Sequence, residues 1–475
     1  MNQHPLSATI VAGWMITVLL SIPAGTHAAT KSAPTSSSTA ACESQYQRTR
    51  PASKVVDKVL LAHARWLEDR EAADGRRANL CRTDLRQLRL TGATLERGNL
   101  EGALLKGTNL RSANLVQAHL KGADLSQAIL DDANLEGADL RKALVVKARL
   151  NRVSADEAAF YGANLQGALL RDALLERAHF EDADLQLADL SGASLLDGYF
   201  YGANLSKATL TDTDLAGTDL RRTNLRQANL RRANLQGALL DSATLDGASL
   251  VEADLESAYL DDASLAHADL HEASLRGADF RYARLTGANL QRVNLEQANL
   301  EGANLAKARL DSATMIMTVL YKANLTAANL HGARLHHAVL IDAHLSHTDL
   351  QKADLTEIYA PNAHLHQARL TEANLELANL VSADLSEADL SHAILVQTNL
   401  QEANLRGTNL SAADLTGTQL NNADLQQANF RGANLSGALG LVQAQLEQAC
   451  LDEATQIPAD LQRPKACPSP RHRRK

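Results

Sequence analysis

The sequence predicts an all-β solenoid, a rod of short stacked segments, because it carries a strict five-residue repeat. Leucine or a close substitute stands at every fifth position from Leu80 to Leu435, apart from Ala155 and Ala360, which gives 72 consecutive units without an insertion or deletion. The unit reads small–Asp/Asn–Leu–polar–polar, as in Ala-Asn-Leu-Gln-Gly at 163–167. Hydrophobic residues make up 45% of the chain and aromatics only 3%, which fits a thin core of leucine and alanine.

Neither a helix nor a straight strand accommodates a period of five. On a helix of about 3.6 residues per turn, the leucines would spread around the whole circumference. On a strand, side chains alternate between faces, so successive leucines would point to opposite sides. The chain must therefore turn a corner between units. Each unit can bury its leucine only by stacking on neighbouring units.

The repeated units resemble those of the pentapeptide repeat family over roughly three quarters of the chain. This resemblance implies a right-handed quadrilateral (four-sided) parallel β-helix, with four units per coil and short helical caps. Phe160, Phe180, Phe200 and Phe280 support that coil length, because they lie at multiples of 20 residues from one another and would share one column. Eighteen coils spaced by about 4.8 Å predict a rod roughly 85 Å long.

The N-terminal 52 residues lie outside this pattern. Residues 1–28 hold an apolar stretch that is too short to span a bilayer comfortably, followed by small residues at 26 and 28. This arrangement is typical of a secretory signal peptide cleaved after Ala28; the alternatives are an uncleaved anchor and a chance apolar start. Residues 29–52 are rich in Ser, Thr and Ala, and this composition predicts a disordered linker.

Both ends of the solenoid need caps, because its first and last coils would otherwise expose unpaired edges. Apolar residues at helical spacing predict a helical N-terminal cap at 53–77, with Trp66 as the plug. The repeats predict the β-helix itself over 78–439. Residues 440–475 predict a C-terminal cap, which includes a short amphipathic helix, and a basic tail.

Four cysteines are placed near the two ends of the predicted rod: Cys42, Cys81, Cys450 and Cys467. The rod separates the ends by far more than the ~7 Å that a disulfide spans between Cα atoms. Two pairings remain, Cys42 with Cys81 and Cys450 with Cys467, and each would staple one cap. Such disulfides would indicate an oxidising compartment, whereas four unpaired thiols would indicate a cytosolic protein.

No motif for catalysis or cofactor binding stands out, so we expect neither an enzyme nor a cofactor. Carboxylates are abundant, but they follow the repeat and are no evidence of acid/base chemistry. Histidines concentrate between His331 and His366. We predict no metal site; His344 and His364, which are 20 residues apart and would stack in adjacent coils, are the candidates if a metal is bound.

The leucine column is interrupted at Ala360, which precedes Pro361 and follows Tyr359. Proline donates no hydrogen bond to a ladder, so the sequence predicts a bulge or bend at 357–363. An irregularity in a monotonous surface gives a partner something distinctive to bind. Tyr359, Ala360 and Pro361 are therefore the predicted contact region.

These observations predict a non-enzymatic, exported scaffold or protein-interaction rod, periplasmic or extracellular, that binds an unknown protein or cell-envelope partner. It would not span the membrane after processing, and its oligomeric state stays open. The net charge of −8 argues against direct nucleic-acid binding. The alternative is a DNA mimic that inhibits a DNA-binding enzyme such as a topoisomerase, as some cytoplasmic members of the family do. That function requires a cytoplasmic location.

Overall fold

The structure of the protein, a computed structural model, describes Cys42, residues 44–71 and residues 73–464. The chain divides into two units, Met1–Cys42 and Glu43–Lys475. The predicted signal peptide and the first part of the predicted linker lie outside the described residues. The second unit is a solenoid with one short helix before it and one after it: α1, Ser53–Glu68, and α2, Gln443–Leu446.

Each coil of the solenoid contains 20 residues. Parallel bridges join each pairing residue to the residue 20 positions later, from Asn79–Asn99 to Gln419–Leu439. We number the unit positions 1 to 5, so that position 5 carries the leucine. Position 2 adopts a left-handed φ, for example +59° at Lys207, and so the chain turns once in every unit. Four turns per coil make four sides, as the spacing of the phenylalanines predicts.

The sides of the coil are not continuous strands, in contrast to the stacked strands that the sequence predicts. Each side pairs through the single bridge residue at position 4, because only three residues separate consecutive turns. Four backbone N–H groups of a unit are nevertheless bonded. Those of Asn204, Leu205 and Lys207 donate to neighbouring coils, at 2.7–2.9 Å, and that of Ala208 closes the turn on the carbonyl of Leu205 at 3.0 Å.

The Asp or Asn at position 4 satisfies the fifth N–H group of the unit. The N–H of Ser206, at position 1, donates to Oδ1 of Asn204 at 3.2 Å, which is an Asx turn. The same Asn204 donates from Nδ2 to Oδ1 of Asp184 in the preceding coil, at 3.0 Å. Buried or half-buried backbone donors need partners. Asp and Asn are therefore favoured at this position for the turn and the side-chain ladder, which explains their frequency without a catalytic role.

Positions 3 and 5 form the core. Their side chains are buried along nearly the whole solenoid, with Leu88, Ala93 and Ala438 near its ends only partly buried. Phe160, Phe180 and Phe200 stack in one column with ring centroids 4.7 Å apart. This confirms the predicted phenylalanine column. Stacking of this kind adds to the burial of the rings.

The two alanines at position 5 are compensated at position 3. Where Ala155 replaces leucine, Val153 stands in place of the usual alanine, and Ile358 stands before Ala360 in the same way. All four side chains are buried. Exchanging the large and small residues within one unit keeps the core volume nearly constant, and cores tolerate such exchanges well. The interruptions of the leucine column therefore leave the coil filled.

The N-terminal cap contains the predicted helix but differs from its prediction in the residues that hold it. The helical spacing predicts a helix from Ser53 to about Asp69 within the cap, and the helix covers Ser53–Glu68. Its buried side chains are Val56 and His63, whereas Trp66 is half-buried and stacks on the His63 ring at 5.5 Å. His63 joins the helix to the first coils, because its Nδ1 accepts from the N–H of Ala78 and its Nε2 contacts the carbonyl of Glu96, each at 3.0 Å. A tryptophan ring has no acceptor for the first of these groups.

Part of the predicted linker is ordered structure. Gln47 pairs antiparallel with Thr83, and the N–H of Arg48 donates to the carbonyl of Arg82 at 2.7 Å. The prediction of disorder over 29–52 is therefore wrong for the described residues 44–52. The unpaired edge of the first coil supplies the physical reason, because it offers backbone partners that composition alone does not reveal.

The C-terminal cap extends the solenoid by part of a further coil. Asn429 pairs with Cys450 and Asn434 with Gln456, which are separations of 21 and 22 residues rather than 20. One extra residue lies between Leu439 and Cys450, in the segment that contains α2, and the other lies between Cys450 and Gln456. The helix α2 contains four residues, and Leu446 is its buried side chain.

Disulfides are present at both ends of the described chain. Cys42 is bonded to Cys81, one of the two predicted pairs. Cys450 is also disulfide-bonded, and its predicted partner, Cys467, lies outside the described residues. At least one cap is therefore held covalently as well as by hydrogen bonds.

Candidate interaction surface

The four sides of the coil share one backbone and differ in the residue at position 4, which points outward. We name the sides by these columns: face A runs from Asn79 to Leu439, face B from Asp84 to Asp424, face C from Arg89 to Asn429 and face D from Thr94 to Asn434. Faces B, C and D carry mostly Asn, Asp, Ser, Thr and Arg. Large apolar and aromatic side chains concentrate on face A: His179, Tyr199, Leu239, Tyr259, Val319, Val339 and Tyr359.

One section of face A forms a continuous apolar surface, which we call the apolar patch. Its centre consists of Val319, Val339 and Tyr359, which are bridged to one another in three successive coils. Apolar residues continue the patch onto the two adjoining corners: Ile316, Met317, Tyr321, Ile341 and Pro361. The side chain of Met317 is 48% exposed, whereas Val319 and Val339 are largely covered by their neighbours. The patch is therefore flat, and its exposed area comes mainly from its corners.

The predicted contact residues divide between this patch and the core. Tyr359 and Pro361 belong to the patch and are half-buried, but Ala360 is buried and cannot reach a partner. The predicted bulge at 357–363 is absent. The N–H of Tyr359 donates to Ala338 at 3.0 Å, and the register continues through the segment.

Pro361 fits the regular coil because it occupies position 1 of its unit. In most units the N–H at position 1 makes no backbone bond to another coil and donates to the Asx side chain of position 4. Where position 4 is not Asx, it can donate to a side chain of the preceding coil, as Asn151 does to Oδ1 of Asp131 at 3.2 Å. In this unit the Asx acceptor and the N–H are both missing, since Tyr359 replaces Asx and proline has no N–H. Proline is also favoured at the second residue of a tight turn.

A second aromatic group on face A was not singled out from the sequence. The rings of Tyr161, His179 and Tyr199 stack, with centroids 5.3 and 4.6 Å apart. His179 Nδ1 lies 3.1 Å from Oη of Tyr161 and 3.2 Å from Oε1 of Glu181. Burial, followed by the neighbouring Glu181 carboxylate, raises the pKa of Tyr161. The signal for this group was the 20-residue column of His179 and Tyr199.

The metal candidates His344 and His364 stack on face B as their spacing predicts. Their ring centroids are 4.8 Å apart and the rings are nearly parallel, at 6°. Both side chains are exposed. Across residues 44–71 and 73–464, these two histidines are not part of any group of three or more possible metal ligands.

Basic residues line a cavity of about 380 Å³ at the N-terminal cap. It lies between the segment that begins at Ser44, the helix α1 and the first coil, and Lys58, Arg76 and Arg77 contribute to its wall. The sequence did not predict this cavity, because it arises where the cap meets the coil and not within the filled core.

Most of the arginines on the outer surface lie next to carboxylates. Arg232 pairs with Asp212 one coil away at 2.6 Å, and Arg281 pairs with Asp279 across one turn at 2.7 Å. The hydrogen bond from Arg232 lowers the pKa of the Asp212 carboxyl. These pairs neutralise much of the acidic surface locally, although the chain carries a net negative charge.

No helix among the described residues is long and apolar enough to cross a membrane.

Comparison with known families gives one match. The family model described as "Pentapeptide repeats (8 copies)" matches in overlapping segments that cover more than half of the chain: 76–111, 108–145, 133–172, 158–197, 199–237, 238–277, 258–297, 278–315, 288–326, 318–357, 362–397 and 398–437. The matched segments leave out 358–361, where Ile358 and Ala360 depart from the usual sizes. None of the curated proteins matches the chain.

Several solved structures are similar to parts of the chain. HetL, a pentapeptide repeat protein involved in heterocyst differentiation regulation from Nostoc sp. strain PCC 7120, is 33% identical over 50% of this chain and 89% of its own, with a TM-score of 0.21. Rfr23 from the cyanobacterium Cyanothece 51142 is 29% identical over 27% and 90%, with a TM-score of 0.15. Full-length QnrB1, a plasmid-mediated fluoroquinolone resistance protein, is 19% identical over 43% and 92%, with a TM-score of 0.23.

Proposed function

We propose that this chain, which belongs to the pentapeptide repeat family, is an exported scaffold that binds a protein or cell-envelope partner through face A. Members of this family form right-handed quadrilateral β-helices and are generally non-enzymatic interaction proteins. The apolar patch is the observation that carries the proposal. Faces B and D also expose single apolar side chains, such as Leu144 and Ile394, but on face A the apolar residues follow one another in successive coils. A contiguous apolar surface on a folded protein is a common mark of an interaction site.

The shape of the patch indicates what kind of partner would bind. Three coils in register fix the backbone around Val319, Val339 and Tyr359, so the exposed parts of the patch, such as Met317, need little ordering on binding. Tyrosine and methionine at the edges, here Tyr321 and Met317, are residue types enriched in protein interfaces. A flat apolar surface of the partner protein would complement this arrangement.

Site-specific photo-crosslinking tests the contact surface. A photo-crosslinking amino acid is placed at residue 317, on the patch, or at residue 327 as the control. Both residues are exposed and occupy position 2 of their units, and residue 327 lies on the diagonally opposite corner of the coil. We expect covalent adducts in the native compartment from position 317 and few from position 327. Equal yields at the two positions, or adducts from 327 alone, would contradict the assignment of face A.

Export is supported by the disulfides, because such bonds persist in oxidising compartments and are rare in the cytosol. Cell fractionation with N-terminal sequencing tests it. We expect a periplasmic or extracellular protein that begins at Ala29, with Cys42 joined to Cys81 and Cys450 joined to Cys467 by non-reducing mass mapping. A cytoplasmic protein that retains Met1 and free thiols would reject export while leaving the contact surface to its own test.

The alternative function, a DNA mimic, has less support from the surface. A mimic needs a regular array of unpaired negative charge, whereas arginines neutralise Asp212 and Asp279 on this surface. An inhibition assay with a purified topoisomerase would distinguish the two functions. Inhibition by the protein at physiological salt, combined with a cytoplasmic location, would favour the mimic.

A further inference from the structure

We propose that His336, His337 and Glu357 form a binding site for a divalent first-row transition metal ion such as Zn²⁺. The three side chains meet at the corner between faces D and A. The site is separate from the stacked pair His344 and His364, which lies on face B. It does not depend on the proposed partner or on export.

The backbone places these three residues side by side. His336 and His337 occupy positions 1 and 2 of one turn, and His337 has a left-handed φ of +57°. Glu357 occupies position 2 of the turn in the next coil. The N–H of His337 donates to the carbonyl of Thr356 at 3.2 Å, and the N–H of Glu357 donates to Glu376 at 2.9 Å, so both turns are fixed in register.

The distances between the side chains fit a shared ion after small rotations. Their ligand atoms all lie within 4.8 Å of one another, and Nδ1 of His337 is 3.5 Å from Oε2 of Glu357. The two imidazole rings are 3.8 Å apart and tilted by 46°. Tetrahedral Zn²⁺ with bonds of about 2.0–2.2 Å holds its ligand atoms about 3.3–3.6 Å apart. Half-buried side chains on a fixed turn can close this difference.

The type of ligand selects the type of metal. Two imidazole nitrogens and one carboxylate oxygen suit Zn²⁺, Cu²⁺ or Ni²⁺, whereas Ca²⁺ and Mg²⁺ prefer oxygen ligands throughout. Three protein ligands leave a fourth position for water or for a group from another molecule.

Isothermal titration with Zn²⁺ tests the site on mature, disulfide-intact protein that carries no polyhistidine tag. We expect one ion per chain at this site. Replacing both histidines by asparagine (His336→Asn with His337→Asn) should abolish this binding, and asparagine is chosen because it tolerates the left-handed φ. Glu357→Gln should weaken it about tenfold or more, since even indirect supporting groups contribute about 10–100-fold to metal affinity.

Two matched controls keep the result specific. His392→Asn changes another position-2 histidine, with φ +60°, that has no such neighbours among the described residues. The pair His344→Asn and His364→Asn removes the stacked candidates of face B. Both controls should bind Zn²⁺ as the unaltered protein does, and Co²⁺ should give the visible absorption of a four-coordinate site that the double variant lacks.

Three outcomes would overturn the proposal. The unaltered protein could take up no Zn²⁺, in which case His337 and Glu357 form an ion pair only. The double asparagine variant could retain full affinity while its circular dichroism and melting are unchanged. The face B variant could lose the binding, which would place the metal at His344 and His364.

Discussion

Faces A and C of the same coils carry different outward residues on an identical backbone. Face C presents Asn329, Asp349 and Arg369, which bond to their own turns and to neighbouring coils, while face A presents valine and tyrosine at the corresponding positions. The core beneath both is leucine and alanine. Positions 3 and 5 therefore contribute most of the stability, and position 4 can vary where function requires it at the smaller cost of its hydrogen bonds.

Core truncation should have the largest effect and should be the same on both faces. Leu330→Ala under face C and Leu340→Ala under face A remove side chains that are at most 1% exposed. Each should lower the free energy of unfolding by about 2–5 kcal/mol, because a cavity remains in a rigid stack. Denaturant unfolding measures both variants. Lys207→Gln, at an exposed turn position, is the control and should change stability by less than about 0.5 kcal/mol.

The choice of control matters, because position 1 is not always on the outside. Ser206, which follows a core leucine and reads as an outward residue, is 8% exposed. A larger side chain at Ser206 would meet neighbouring coils.

A clearly unequal loss of stability in Leu330→Ala and Leu340→Ala would contradict the prediction, because it would show that the outward residues also affect the stability of the core.

The equivalence of the faces ends at the N-terminal cap, where His63 bonds to backbone groups of the first coils. Burial lowers the pKa of His63, so the unfolded chain binds more protons between the two pKa values. The stability of the cap should therefore be complete at neutral pH and fall as the pH decreases through about 6.5. Amide exchange at Ala78 between pH 8 and pH 5 measures this.

Two variants distinguish the effect of protonating His63 from the effect of losing its hydrogen bonds. His63→Ala leaves the N–H of Ala78 and the carbonyl of Glu96 without their partner, at a cost of about 1–3 kcal/mol for each buried group. His63→Gln can retain both bonds without titrating. It should flatten the pH dependence, and an unchanged acid response in this variant would assign the effect to other groups.

Exchanging the outward residues at position 4 should change stability less than core truncation does, and in opposite directions on the two faces. Asn329→Val removes the acceptor of the His331 N–H, now bonded at 3.0 Å, and should lower stability by about 0.5–1.5 kcal/mol. Val339→Asn adds an acceptor for the Ile341 N–H and should raise stability by a similar amount while weakening partner binding. Thermal melts compare the two. The same sign in both variants would refute the role of the Asx turn.

The smallest effect is expected at Pro361. Pro361→Ala should lower stability by about 0.4–1 kcal/mol, because alanine gives the unfolded chain more freedom and the folded turn already suits proline. His331→Pro is the counterpart on face C. It deletes the N–H that donates to Asn329 and should not be stabilising. A large stabilisation by Pro361→Ala in chemical denaturation would indicate strain at this turn.

The histidines show the limit of prediction from sequence. The 20-residue spacing correctly places His344 over His364, but it directs attention away from His336 and His337, which are adjacent in sequence and meet Glu357. Adjacent residues on a strand would point apart. They converge here because the left-handed φ at position 2 bends the chain between them. The 20-residue spacing therefore identifies contacts between successive coils and misses contacts within a turn.

The repeat alone was enough to predict the coil, the core columns and the phenylalanine stack, because it satisfies its own hydrogen bonds at fixed separations. The pairing of Cys42 with Cys81 could be predicted from the length of the solenoid, which keeps the C-terminal cysteines out of reach. The contents of the cap, the order of residues 44–52 and the regular turn at Pro361 became known only from the folded structure. Each of these depends on groups at irregular separations, such as His63 with Ala78. A periodic pattern carries no information about such contacts, since they are set by which edges remain unpaired after the solenoid has formed.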